Sequence, residues 1–160
     1  MERLKDMIDR HAQPGRVVWI GLRPERRMEI VPREAALLGV SGLEGDHARP
    51  GKRALTLFQA EHLAAVASYL GREAIAPEAL RRNLHVAGLN LASLRDREIA
   101  LGEAVVRLTT ICAPCSRMEE AFGPGGYAAI RGHGGWCAEV VEPGRIALGD
   151  PVRPLGDQSA

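Results

Sequence analysis

Apolar positions along the chain fall into short runs, most of them closed by Gly or Pro. Val17-Val18-Trp19-Ile20-Gly21-Leu22 is rich in β-branched residues and reads as a buried strand. Arg27 to Val31 reads as a second strand, and Ala35 to Val40 fits strand or loop. Arg53 to Phe58 returns to strand character. Leu84–Val86 and Ile99–Leu101 are short strands, and Ala104–Ile111 is a longer one. Ala138–Val141 and Arg145–Leu148 bracket Glu142-Pro143-Gly144 and read as a hairpin.

Helical spacing is rarer. Gln59 to Leu70 is the clearest case, with Leu63, Val66, Ala67 and Leu70 on one stripe and Gly71 as its stop. Met1 to Ala12 reads as a short amphipathic helix, with Leu4, Met7 and Ile8 on one face, ended by Pro14-Gly15. Pro77–Leu80 is a helical turn with Pro near its first position. Ser116 to Phe122 reads as a helix with Ser116 as N-cap and Glu119 three residues on. Ser41 to Gly51 is a long loop by composition, and long loops often carry function. Many short strands and one good helix predict an α+β domain, predominantly β, with a barrel-like core. The order is not a βαβ series, and neither an internal repeat nor a low-complexity tract is visible.

Length and composition agree with one domain that buries its own core: 160 residues, 46% hydrophobic, 26% charged. Aromatics are 4% of the chain, so the core falls to Leu, Val, Ile and Ala. A net charge of +1, with no aromatics interleaved among the arginine clusters, argues against nucleic acid as a partner. No run of about 18 apolar residues is present, which argues against a membrane helix. The charged N-terminus does not read as a secretory signal. Three cysteines, an odd number, do not make a disulfide framework. A cytoplasmic location is expected.

Chemistry concentrates in Cys112-Ala113-Pro114-Cys115, between a predicted strand and a predicted helix. A thiol at a helix start faces unpaired N–H groups, which favour the thiolate, and Arg117 adds a cation nearby. Against this stands the buried, inert cysteine, the usual fate of a cytosolic thiol. Three functional readings are open. A dithiol redox pair lacks its usual βαβ setting. Cys112, Cys115, His133 and Cys137 would make a tetrahedral zinc site. A single thiolate at Cys115 would meet a soft metal or a sulfur donor.

Basic and glycine-rich segments form a second set. They are Gly45-Asp46-His47, Lys52-Arg53, Arg81-Arg82-Asn83 and Arg131-Gly132-His133-Gly134-Gly135. Arginine forks and glycine amides suit a phosphate or another oxyanion, although surface charge and turn glycine explain each alone. Asp46 and His47 fit a hydrogen-bonded pair that orients the imidazole, or a loop cap.

These segments together resemble the MOSC domain, named for the C-terminal domain of molybdenum cofactor sulfurase. The carrying residues begin with Gly45-Asp46-His47 and Arg53-Ala54-Leu55-Thr56-Leu57-Phe58-Gln59-Ala60-Glu61. Arg81-Arg82-Asn83-Leu84, Gly88-Leu89-Asn90-Leu91 and Leu101-Gly102-Glu103 follow. Cys112-Ala113-Pro114-Cys115-Ser116-Arg117-Met118, Arg131-Gly132-His133-Gly134-Gly135 and Ile146-Ala147-Leu148-Gly149-Asp150 complete the set. The match runs from about Val17 to about Val152.

The resemblance implies a strand-rich barrel similar to the pyruvate kinase barrel domain, made of short mixed strands with a few peripheral helices. It divides the chain into an N-terminal helical extension (1–15), the MOSC domain (16–155) and a flexible tail (156–160). It implies handling of the molybdenum cofactor, or of sulfur bound for it, with Cys115 as the cysteine that ligates molybdenum or carries sulfur. A molybdenum reductase acting on N-hydroxylated compounds, or a cofactor-modifying enzyme, is then the leading expectation. Arg53, Arg81, Arg82, Asn83, Arg117, Arg131, Gly132 and His133 would hold the pterin cofactor. His47, steadied by Asp46, would donate protons. A sulfur carrier served by a separate desulfurase or reductase partner is the second reading, and a structural zinc or interaction domain the third. Sulfurases fuse this domain to a pyridoxal-phosphate desulfurase, which 160 residues do not hold, so no pyridoxal phosphate is expected. The extra N-terminal barrel of the larger reductases is likewise not expected in these 160 residues.

Overall fold

A computed structural model describes residues 1–156. A short helix, α1 (Leu4–Ile8), precedes strands β1 (Gly15–Leu22), β2 (Val31–Pro32), β3 (Ala35–Gly39), β4 (Gly42–Leu43) and β5 (Leu55–Gln59). Helix α2 (His62–Tyr69), a 3-10 turn (Pro77–Leu80), β6 (Leu84–Ala87) and a second 3-10 turn (Leu91–Leu94) follow. Then come β7 (Glu98–Leu101), β8 (Ala104–Ile111), α3 (Ser116–Phe122), α4 (Gly126–Ile130), β9 (Trp136–Glu142), β10 (Gly144–Ala147) and β11 (Pro151–Pro154).

Seven strands close a mixed barrel in the order β11-β7-β8-β9-β5-β6-β1, with β1 pairing back onto β11. The β5–β6 pair is parallel, with α2 in the crossover. The alternating side chains of β8 explain its role: Ala104, Val106 and Leu108 point inward and are fully buried. They meet Leu55, Leu57, Leu84, Val86, Ile99 and Leu101 in one aliphatic core. A second cluster lies outside the barrel, where Val66 and Ala67 of α2 meet Phe58, Leu80, Met118, Phe122 and Ile130. Leu63 and Leu70 pack on its edge, as the helical stripe predicts. α2, α3 and α4 are thereby fixed over one end of β5.

Several local expectations need correction. Arg27–Val31 is not a strand: Arg27 turns at φ 68°, and pairing starts only at Val31. Glu142-Pro143-Gly144 is a corner rather than a hairpin, because β10 pairs with β3 in a small second sheet, β10-β3-β4. The long loop contributes β4 to that sheet. α2 begins at His62, since Gln59 ends β5. Its buried amide donates to the Val86 and Leu89 carbonyls. α1 covers less than Met1–Ala12, and its apolar face of Leu4, Met7 and Ile8 is exposed. Ser116 is the first residue of α3 rather than its cap. Glu119 accepts from Gly125 N and Tyr127 N at 3.1 Å and so joins α3 to α4. The tail expected at 156–160 lies, beyond Gly156, outside the described residues.

Candidate functional site

The end of β8, the start of α3 and the α4–β9 loop converge at one end of the barrel. The register of β8 on β9 shifts between Leu108 and Ile111, pairing resumes at Ile111 with Trp136, and Cys112 N bonds Gly135 O at 2.8 Å before the chain turns into α3. Cys115 is exposed at the cap position of α3. Cys112 is buried, and its partner is not Cys115. Its Sγ lies 3.0 Å from Sγ of Cys137, which is also buried. The S–H···S contact is the main influence on both. Cys112 keeps its proton and is pushed up, with burial adding to the effect. Cys137 is pulled down to about 7 by that bond against its own burial, helped by Arg53, Arg82 and Arg23.

The zinc reading fails on this geometry. Cys115 stands apart from the Cys112–Cys137 pair, and His133 is engaged elsewhere. Among the described residues no three His, Cys, Asp or Glu side chains form a metal-holding group. The Cys112–Cys115 dithiol reading fails with it.

Five arginines act on this region: Arg23, Arg53, Arg81, Arg82 and Arg117. Burial, then Arg23 and Arg117, lowers the affinity of Arg81 for its proton, which shows how closely the cations crowd. Arg82 donates Nε to Gly134 O at 2.7 Å and Nη1 to Leu80 O at 3.3 Å. Arg81 donates to Met28 O. No side-chain hydrogen bond of Arg53 or Arg117 is present among the described residues. Arg131 is exposed at the C-terminal cap of α4.

Sequence reasoning missed the role of Arg23. Asp46 accepts from Arg23 N at 2.6 Å, Arg23 Nε at 3.2 Å, Arg23 Nη2 at 3.1 Å and Asn83 Nδ2 at 3.1 Å. Burial alone would raise the Asp46 carboxyl, but the Arg23 fork and Asn83 amide outweigh it and hold it below its usual range. Asp46 therefore anchors Arg23, not His47. The His47 ring is oriented by a backbone group: Nδ1 donates to Arg23 O at 2.7 Å. A carbonyl only accepts, so Nδ1 carries the hydrogen of that bond and Nε2 of the exposed ring is the nitrogen left open to exchange a proton.

Asn83 is fully buried and holds this corner from inside. Its Oδ1 accepts from Thr56 N and Oγ1 at 3.1 Å, and its Nδ2 donates to Gly21 O at 3.1 Å. With these bonds made, Asn83 is a scaffold for Arg23 and Asp46 rather than a cofactor ligand.

Beside the cysteines lies a pocket of about 90 Å³, lined by Cys112, Pro114, Trp136, Gln59, His62 and His133 among others. His133 Nδ1 and His62 Nδ1 are 3.2 Å apart with the rings edge-on, so one donates and the other accepts. Burial, then the His133 charge, lowers the His62 pKa. His62 was invisible in the sequence because it opens a helix whose apolar stripe dominates the pattern. Gly132 is exposed, with φ +84° and open space around it. Gly134 is packed so closely that a Cβ would strike the Cys112 carbonyl.

Comparison with known proteins completes the picture. No curated protein matches the chain. Its fold is similar to the crystal structure of APC1665, YuaD protein from Bacillus subtilis, with TM-score 0.77 at 16% identity over 91% of this chain and 98% of that one. It is similar to YiiM from Escherichia coli, with TM-score 0.70 at 22% identity over 91% and 72% of the two chains. YiiM from Geobacillus stearothermophilus gives TM-score 0.75 at 20% identity over 92% and 78%. The MOSC domain family model matches residues 39–153. With that match and the barrel beneath it, the chain belongs to the MOSC domain family.

Proposed function

We propose that this protein binds the molybdenum cofactor through the Cys115 thiolate and serves a small molybdenum reductase reaction or a cofactor-modifying step. The observation that carries this reading is the exposed Cys115 thiol, left unpaired while the other two cysteines contact each other. The nearby cations strengthen it.

The donor set fits such a group. A thiolate is a soft ligand suited to a transition metal. Arg53, Arg81, Arg82 and Arg117 offer guanidinium forks for phosphate and pterin oxygens. The pocket of about 90 Å³ is too small for a pterin, since ligand pockets run from roughly 300 Å³ upward. Arg53, Arg81, Arg82 and Arg117 would therefore hold the cofactor outside this pocket, and Arg131, Gly132 and His133, in the loop after α4, would add contacts. When bound, it supplies two-electron chemistry. His47 holds a proton at Nε2 and delivers it to the oxygen or nitrogen of an N-hydroxylated substrate. Reducing R–NHOH to R–NH2 and water takes two electrons and two protons, with the electrons drawn from a separate reductase partner.

Assay cofactor-loaded protein with a chemical electron donor and an N-hydroxylated amidine. Turnover lost in Cys115→Ala and reduced in His47→Gln supports the reading. Equal turnover in wild type and Cys115→Ala overturns it.

The exposure of Cys115 also favours a second reading, a sulfur relay. A thiol that a desulfurase partner can reach accepts the outer sulfur of a donor persulfide and becomes Cys115–S–SH, while the donor leaves as a thiol. Labelled sulfur on Cys115, in protein that holds no molybdenum, would select it over the first.

A further inference from the structure

The function proposed above leaves idle the two cysteines that touch. Cys112 Sγ and Cys137 Sγ are 3.0 Å apart, inside van der Waals contact of two sulfurs and roughly 1 Å beyond a disulfide bond length. Cys112 follows β8 and Cys137 lies in β9, with Cys112 N bonded to Gly135 O at 2.8 Å. That backbone bond ties the two segments together beside the touching sulfurs. Cys137 carries the better thiolate, with Arg53 and Arg82 beside it.

Access limits the oxidant. Both cysteines are buried, which excludes a bulky disulfide such as oxidised glutathione. Cys112 nonetheless lines the pocket of about 90 Å³, and a water takes about 30 Å³. A molecule the size of hydrogen peroxide fits there.

We propose that Cys112 and Cys137 are a peroxide-oxidisable dithiol that closes to an intramolecular disulfide while Cys115 stays a free thiol. Cys112, the sulfur at the pocket, passes its proton to the Cys137 thiolate 3.0 Å away and attacks one peroxide oxygen; the O–O bond breaks, and hydroxide leaves to be protonated to water. Cys112 is now a sulfenic acid, oxidised by two electrons. Cys137 sulfur attacks it, the S–S bond forms, and the sulfenic hydroxyl departs with the Cys137 proton as a second water. Two thiols and one peroxide give one disulfide and two waters. The bond pins to β9 the segment that begins three residues before Cys115. Neither step depends on the molybdenum reading.

The test is a peptide map. Reduced wild-type protein is treated with equimolar hydrogen peroxide, alkylated with iodoacetamide in denaturant, digested and weighed. The expected result is a linked Cys112–Cys137 peptide pair with alkylated Cys115, and the same link in Cys115→Ser. Titratable thiols fall from three to one. Three alkylated cysteines, a Cys112–Cys115 link, or oxidation confined to Cys115 would overturn the proposal.

Discussion

Asp46 grips Arg23 rather than its chain neighbour His47, and Arg23 in turn holds His47 through its own backbone carbonyl. The Asp46 side chain is 0% exposed and the Arg23 side chain 14%. Removing one member strands the other in the interior. Asp46→Ala should cost about 3 kcal/mol in urea unfolding, because it leaves a buried guanidinium unpaired. The double change Asp46→Ala with Arg23→Met should recover part of that loss. A double variant that loses the sum of both single effects would show that the two residues act independently.

Acid should destabilise the fold before the carboxylates titrate. His85 is buried between Trp19 and Phe58, with ring centroids at 4.9 and 5.0 Å. Burial first, then the Arg82 charge, pushes it down to about 4 from 6.5. The unfolded chain binds a proton between those values that the fold refuses. Stability from this source is complete above pH 6.5 and falls as pH drops toward 4, by on the order of 3 kcal/mol. His62, also held low, adds to the same limb. Asp46 takes over below it: its depressed carboxyl loses its contribution as pH falls through the folded value. His85→Phe should flatten the stability profile between pH 6.5 and 4, and an unchanged slope would assign the loss elsewhere.

Two glycines in one loop should respond differently. Gly134→Ala forces a methyl group into the Cys112 carbonyl, with no flexible side chain to give way. It should cost about 3 kcal/mol and disturb the Cys112–Cys137 contact. Gly132→Ala meets open space and suffers from its positive φ alone, at about 1 kcal/mol. Thermal unfolding of the two variants measures the difference.

What the sequence conveys here is mostly local. The strand at Ala104–Ile111 and the α2 stripe were legible because alternation and helical spacing report directly on burial. The hairpin at Glu142-Pro143-Gly144 misled because a turn signal says that the chain reverses, not which strand it meets. Arg27–Val31 misled because apolar content hides a left-handed turn at Arg27.

The site divides along the same line. Cys115 stands out in its motif, but the Cys-x-x-Cys spacing drew attention from Cys137, the sulfur that Cys112 meets. That contact spans 25 residues, and the Arg23–Asp46 bond spans 23. Neither leaves a periodic trace. Asn83 looked like a ligand in a basic motif and is a buried scaffold, since it ties together Thr56 of β5 and Gly21 of β1 from a position just before β6.

Oxidation should also register as stability. A Cys112–Cys137 bond closes a 25-residue separation, for which loop entropy gives about 3.5 kcal/mol. The peroxide-treated protein should unfold at higher urea than the reduced form, and dithiothreitol should reverse the shift. Coincident urea curves would show that no such cross-link constrains the chain.

The central claim is that Cys115 holds molybdenum. It is tested most directly by the metal content of protein made in a host that produces the molybdenum cofactor, measured by mass spectrometry for wild type and Cys115→Ser side by side. The account predicts stoichiometric molybdenum in the wild type and its loss from a folded Cys115→Ser protein. Wild-type protein without metal that also fails to take up added cofactor, or a Cys115→Ser protein that keeps its full molybdenum content, would contradict it.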